Sequence, residues 1–259
     1  MATDFRARAR RTPALALAAA WLAASPAAAQ EAVPAPPAVA APVADLSTPL
    51  PSQPPASGDW PEFTDVTVGS VALTATGFVT AFVVHEACHA VANLAMGNVP
   101  TLEPVRFLGF LPFFAVSPNI QCRDGACVKA NGDPFLPGPR GYAVIVTSGL
   151  LCQEITDEII LSTRPGIRHE TAPFLKGMLL FNTAASVAYG IANLTRIEPP
   201  QGDLYGFDQV SRLPHGVFAA VILGTAALDV ARYFLPDVAW LPWVSRGSKA
   251  VTVGLVLAF

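Results

Sequence analysis

Residues 66–96 read VTVGSVALTATGFVTAFVVHEACHAVANLAM. From Val66 to Val84 this stretch holds no charged residue. That is about the ~20 apolar residues a helix needs to cross a bilayer. The run then continues into His85-Glu86-Ala87-Cys88-His89, an H-E-x-x-H pattern. On a helix, positions i and i+4 share one face, so His85 and His89 can grip a single metal ion. Glu86 lies between them, within reach of a water molecule as general base. Gly97, Asn98 and Pro100 supply stop signals, which predicts a membrane helix from about Val66 to Met96. Metal chemistry inside a membrane helix is therefore the first expectation.

Composition agrees. Of 259 residues, 52% are hydrophobic and only 14% are charged, against about 25% charged in a soluble domain. Long apolar runs carry this deficit, which indicates an integral membrane protein. The formal net charge is −3, and beyond the N-terminus there is no basic block, which excludes nucleic acid as a partner. Arg6, Arg8, Arg10 and Arg11 precede a short apolar run from Pro13 to Ala24, and Ala27-Ala28-Ala29 offers a cleavage site before Gln30. Residues 1–29 thus read as a secretory signal peptide. Residues 30–62, rich in Pro, Ala and Ser, read as a tether with no core of its own. Residues 63–259 form the membrane domain.

Further runs follow. Residues 98–139 hold no long helical pattern, and Phe107 to Val116 is broken by Gly109 and Pro112. This region predicts strands or a hairpin lying against the membrane, tolerated at depth only where protein covers it or a wet cavity receives it. Second, third and fourth apolar runs cover about Gly141–Leu161, Phe174–Leu194 and Pro214–Leu235. A fifth, Val251–Phe259, is too short to span unless residues 240–249 join it. The expected fold is an all-α polytopic membrane protein with four to five membrane helices, and a membrane-associated hairpin or irregular loop between the first and second. Glu154, Asp157 and Glu158 near the end of the second run mark either an interfacial end or an interior face. Cys88 and Cys152 lie in apolar runs and read as buried thiols. Cys122 and Cys127 flank a turn-rich spacer and are placed to close a small disulfide loop in an oxidising compartment.

A catalytic zinc needs three protein ligands and an open position. The third ligand must come from outside the motif, because Ala92 and Ala95 stand where the soluble metzincin extension would place its Gly and its third His. Asp203, beyond a Pro199-Pro200 break, is the expected ligand, with Asp208 and Glu154 as the alternatives. His169 and His215 lie beside Pro165 and Pro214 and read as solvated loop residues.

The chain resembles the site-2 protease group of intramembrane zinc metalloproteases. The resemblance rests on H-E-x-x-H within a membrane helix, on Asn193, Pro199-Pro200 and Gly202-Asp203 as a second motif, and on region 98–139 as an intervening β-rich loop. It covers roughly residues 66–210, and Gly202-Asp203 reverses the family's usual Asp-Gly order. What it implies is a zinc-dependent endopeptidase that cuts a membrane-spanning protein substrate within the lipid bilayer of a bacterial inner membrane. It further implies that His85, His89 and Asp203 hold Zn2+, that Glu86 is the catalytic base, and that Asn193 binds the substrate strand. Other classes remain open. One is a membrane zinc hydrolase with Glu154 as third ligand; another is a non-catalytic membrane scaffold with a relic motif.

Overall fold

A computed structural model describes residues 67–107, 111–197 and 202–258. The signal peptide and tether expected over 1–62 lie outside these residues. The first helix, α1, spans Val68–Ala95. Thr67 and Ser70 cap its start reciprocally: the Ser70 N–H donates to Thr67 Oγ1 at 3.1 Å and the Thr67 N–H donates to Ser70 Oγ at 3.0 Å. It ends at Met96 and Gly97, where Gly97 takes φ +69°, a left-handed conformation that glycine adopts without strain. Its 28 residues are about 42 Å long at 1.5 Å per residue.

Two antiparallel hairpins follow, as region 98–139 predicted. Strands β1 (Thr101–Phe107) and β2 (Leu111–Ser117) pair from Thr101↔Ser117 to Phe107↔Leu111. Strands β3 (Ile120–Arg123) and β4 (Ala126–Lys129) pair with Cys122 opposite Cys127. These two cysteines are joined as a disulfide.

Helix α2 spans Gly138–Thr163, and after a 3-10 turn at Ile167–His169, helix α3 spans Pro173–Leu194. A short helix α4 covers Asp203–Val210, then α5 covers Val217–Phe234 and α6 covers Leu241–Ala258. Residues 241–249 and the last apolar run thus form one helix. Helices α1, α3 and α5 are long and apolar enough to cross a membrane. Helices α2 and α6 are of similar length but carry Glu154, Asp157 and Glu158, and Arg246 and Lys249, respectively.

Helix α2 contacts all five other helices. Its apolar residues Ile145, Val146 and Leu150 form one core with Leu204 and Phe207 of α4, Phe218 and Ile222 of α5, and Val256 of α6. A second core joins Ala81 of α1, Ile160 and Leu161 of α2, and Phe181 of α3. Helices α1 and α3 approach closely through two glycines. A Cβ on Gly77 would lie 1.9 Å from the Phe174 carbonyl oxygen, and one on Gly177 would lie 2.0 Å from that of Thr74. Small residues at such crossings let backbones touch where lipid offers no hydrophobic drive.

The expectation of free thiols at Cys88 and Cys152 is corrected: a disulfide joins them, with Cα atoms 6.5 Å apart, and crosslinks α1 to α2. Apolar surroundings suit a half-buried thiol and a half-buried disulfide equally, so the two runs alone did not reveal that they pack side by side. The acidic residues of α2 face inward. Glu154 and Asp157 are buried, Glu154 against Thr252 of α6 and Asp157 against Asn182 of α3, while Ile159 of the same helix points outward.

Candidate metal centre

His85 and His89 lie one turn apart on α1 and are 2% and 5% exposed. Their Nε2 atoms are 3.1 Å from each other. Asp203 joins them from α4: Oδ2 lies 3.1 Å from His85 Nε2, and Oδ1 lies 3.3 Å from His89 Nε2. Among the described residues, these three form the cluster of His, Cys, Asp and Glu ligand atoms close enough together to hold a metal ion.

The spacing fits a tetrahedral ion. Bonds of ~2.0–2.1 Å give ligand-to-ligand edges of about 3.3 Å, against the 3.1 to 3.3 Å found here. Hydrogen bonding alone does not account for the arrangement. Asp203 Oδ2 is fully enclosed without a hydrogen-bond partner although an imidazole nitrogen is 3.1 Å away. Burial acts to raise the Asp203 carboxyl, but the adjacent His89 and His85 imidazoles outweigh it and hold the group well below its usual range. A carboxylate at this position is the ligand type that can offset part of a cation's charge.

The surroundings prepare the ligands. His89 Nδ1 lies 2.8 Å from the Ile145 carbonyl oxygen on α2, to which it donates its proton. That bond leaves the Nε2 lone pair facing Asp203, a common device for orienting a metal-ligating imidazole. Ser148 Oγ donates to the same carbonyl at 2.7 Å and sits 3.2 Å from His89 Nδ1. The Tyr189 ring stacks on His85 with centroids 6.1 Å apart and planes 7° from parallel. Gly149 leaves the space at the centre. A Cβ there would meet His89 Nε2 at 2.4 Å and His85 Nε2 at 2.5 Å.

Asp203 is the first residue of α4, entered through extended Gly202. Leu204 and Phe207 anchor α4 in the core, and Phe207 stacks on Phe218 with centroids 4.1 Å apart. Gly206 brings α4 close to α2, since a Cβ would lie 2.9 Å from Val146 Cγ1. Glu86 is buried beside His85, and its Oε2 accepts the Val116 backbone N–H of β2 at 2.7 Å. The hairpin thus orients the residue expected to act as base.

The other sequence candidates lie elsewhere. Asp208 accepts from Asn193 Nδ2 at 3.0 Å and from His215 Nδ1 at 2.8 Å. Glu154 accepts from Thr252 at 3.1 Å. Neither belongs to the His–His–Asp cluster. Asn193, implied as a substrate ligand, is buried at the end of α3 and ties that helix to α4 through Asp208. His215 and His169 are both exposed, as expected, and His215 also pairs with Asp208.

Sequence reasoning did not find Gly149, Ser148, the Ile145 carbonyl or the Val116 N–H. Ser148-Gly149, a small pair within an apolar run, was the available signal for the first two; main-chain partners leave none. Comparisons with protein-family models, with curated proteins and with solved structures gave no match.

Proposed function

We propose that residues 63–259 form a polytopic membrane domain and that it is a zinc-dependent intramembrane endopeptidase of the bacterial inner membrane. Helices α1, α2, α3 and α5, with α6 as the fifth, would lie within the bilayer, and the substrate would be a membrane-spanning protein. The observation that carries this reading is the convergence of two imidazole nitrogens and a carboxylate beside Gly149, on a helix long and apolar enough to cross a membrane.

His85 and His89 would present their Nε2 lone pairs, and Asp203 its carboxylate. When bound, the ion supplies Lewis acidity at the peptide carbonyl. Every proton movement falls to this chain. Val116 holds Glu86 Oε2, so Oε1 is the atom that takes the proton from the attacking water and returns it to the leaving amine. The Ile145 carbonyl keeps His89 in one tautomer. Glu154 as third ligand is not favoured, since Thr252 and the α2–α6 contact engage it.

The test pairs metal content with cleavage. Purified wild type should hold about one zinc per chain, and His85→Ala and His89→Ala should lose it. Glu86→Gln should keep zinc and lose cleavage of a membrane-embedded test substrate. A Gln variant that cleaves at the wild-type rate refutes the assignment of the base. Zinc-free wild type supports the scaffold reading.

A further inference from the structure

A second set of ionisable side chains lies where α2, α5 and α6 meet, buried except for the half-buried Glu158 and the exposed Arg246 at its rim. Helix α2 contributes Glu154, Asp157 and Glu158; α5 contributes Asp229 and Arg232; α6 contributes Arg246 and Lys249. Four carboxyls thus face three cations. The cations are not shared evenly. Glu158 takes Arg232 at 2.5 Å, Arg246 at 2.8 Å and Lys249 at 3.1 Å. Asp229 takes Lys249 at 2.9 Å and Arg232 at 3.7 Å, with Ser245 donating at 2.7 Å.

Glu154 and Asp157 receive hydrogen bonds from neutral groups. Asn182 of α3 donates to Asp157 at 2.7 Å, and Thr252 of α6 donates to Glu154 at 3.1 Å. Both acids are at least nine-tenths buried. Glu154 Oε2 is fully enclosed and has no hydrogen-bond partner among the described residues, and neither has either amide atom of the adjacent Gln153. An ionised carboxylate with an unpaired enclosed oxygen is among the costliest groups a protein interior can hold. The imbalance of one charge sits with this pair, where no cation is in hydrogen-bond contact. A proton removes the charge with no further ligand. A divalent ion has no such fit, since the carboxylates here do not converge as His85, His89 and Asp203 do.

We propose that Glu154 and Asp157 form an intramembrane proton-binding site, one of the two carboxyls carrying a proton at neutral pH. The site is independent of the metal centre but close to it in the fold. Gln153 lies one helical turn from Gly149 on the same face of α2. The charged groups facing the pair are Glu158 on α2, Asp229 and Arg232 on α5, and Arg246 and Lys249 on α6; α3 offers the neutral Asn182. Loss of the proton leaves net negative charge where α2 packs on α6. The bound proton stabilises the folded bundle below the pH at which it is released, and that stabilisation disappears as pH rises through this value.

The test is infrared spectroscopy of the full chain in detergent or vesicles. Wild type at neutral pH should show a protonated carboxyl C=O stretching band that shifts in D2O and is lost on alkaline titration. Glu154→Gln with Asp157→Asn should remove the band while the metal content stays. Thr252→Val, which retains both acids, should move the band without abolishing it, and covers the case in which the double variant does not fold. No protonated-carboxyl band in wild type, or a band that survives the double variant, overturns the proposal. So does a wild type that lacks the band but is stabilised by sodium over choline at equal ionic strength, because sodium would then be the neutralising cation.

Discussion

Replacing Gly149 by alanine asks whether the space between the imidazoles is the metal site. The new Cβ would lie 2.4 Å from His89 Nε2 and 2.5 Å from His85 Nε2 and Cε1. Ordinary carbon contacts begin near ~3.5 Å, so both rings must move by about 1 Å. Metal sites tolerate ligand shifts of about 0.2 Å. Loss of an orienting partner alone costs about 10–100-fold in metal affinity, and displacing two ligands at once should exceed that, to at least about 100-fold. The fold should bear the change, since overpacking by one methyl costs about 1–3 kcal/mol and the Cys88–Cys152 link still ties α1 to α2. The control is Gly224→Ala on α5, where an added Cβ meets nothing within 4 Å. It should keep zinc and gain up to about 1 kcal/mol from helix propensity. Zinc titration with a competing chelator, beside circular dichroism, reads both. A Gly149→Ala protein that binds zinc with wild-type affinity would show that the ion, if any, sits elsewhere.

Further outcomes are expected. Asp203→Ala should abolish zinc binding, while Asp208→Ala should retain it in the same chelator titration; the reverse result would redraw the ligand set. Ser148→Ala should weaken zinc by about 10-fold through a less firmly held His89. Denatured wild type without reductant should show no reactive thiol, since both disulfides are formed, and any labelling would contradict one of them. Cys88→Ser with Cys152→Ser should cost up to about 4 kcal/mol in the chain-entropy limit for a sequence separation of 64, read as a lowered melting temperature.

The apolar runs located the long helices to within a few residues, because their hydropathy depends on local composition alone. His85 and His89 were legible for the same reason: their relation is set by one helical turn. Asp203 was harder, and the structure places it for a reason absent from its neighbourhood. Leu204 and Phe207 anchor α4 beneath α2, and Asp203 is carried along at the helix start. The inward acids of α2 were ambiguous in sequence. A carboxylate near the end of an apolar run reads the same whether lipid headgroups or a neighbouring helix receive it; here Asn182, Arg232 and Lys249 decide, and they lie 25 to 91 residues away in the chain. Cys88 and Cys152 were misread because a disulfide depends on two helices meeting, a property of packing and not of composition.

The bond from the Val116 N–H to Glu86 has a bearing on genetics. Its donor is a main-chain atom, so every amino acid except proline supplies it equally well. Alanine scanning across β2 would leave the aim of the base untouched, and a comparison of related sequences would find nothing invariant at position 116. A one-residue insertion or deletion between Gly97 and Val116 acts differently. It would either slide β2 along α1, moving the N–H away from Glu86, or re-thread the strand in place and turn every β2 side chain to the opposite face. The constraint on this segment is therefore written in its length, and it would appear in a collection of variants as intolerance to frame-preserving indels amid freedom to substitute.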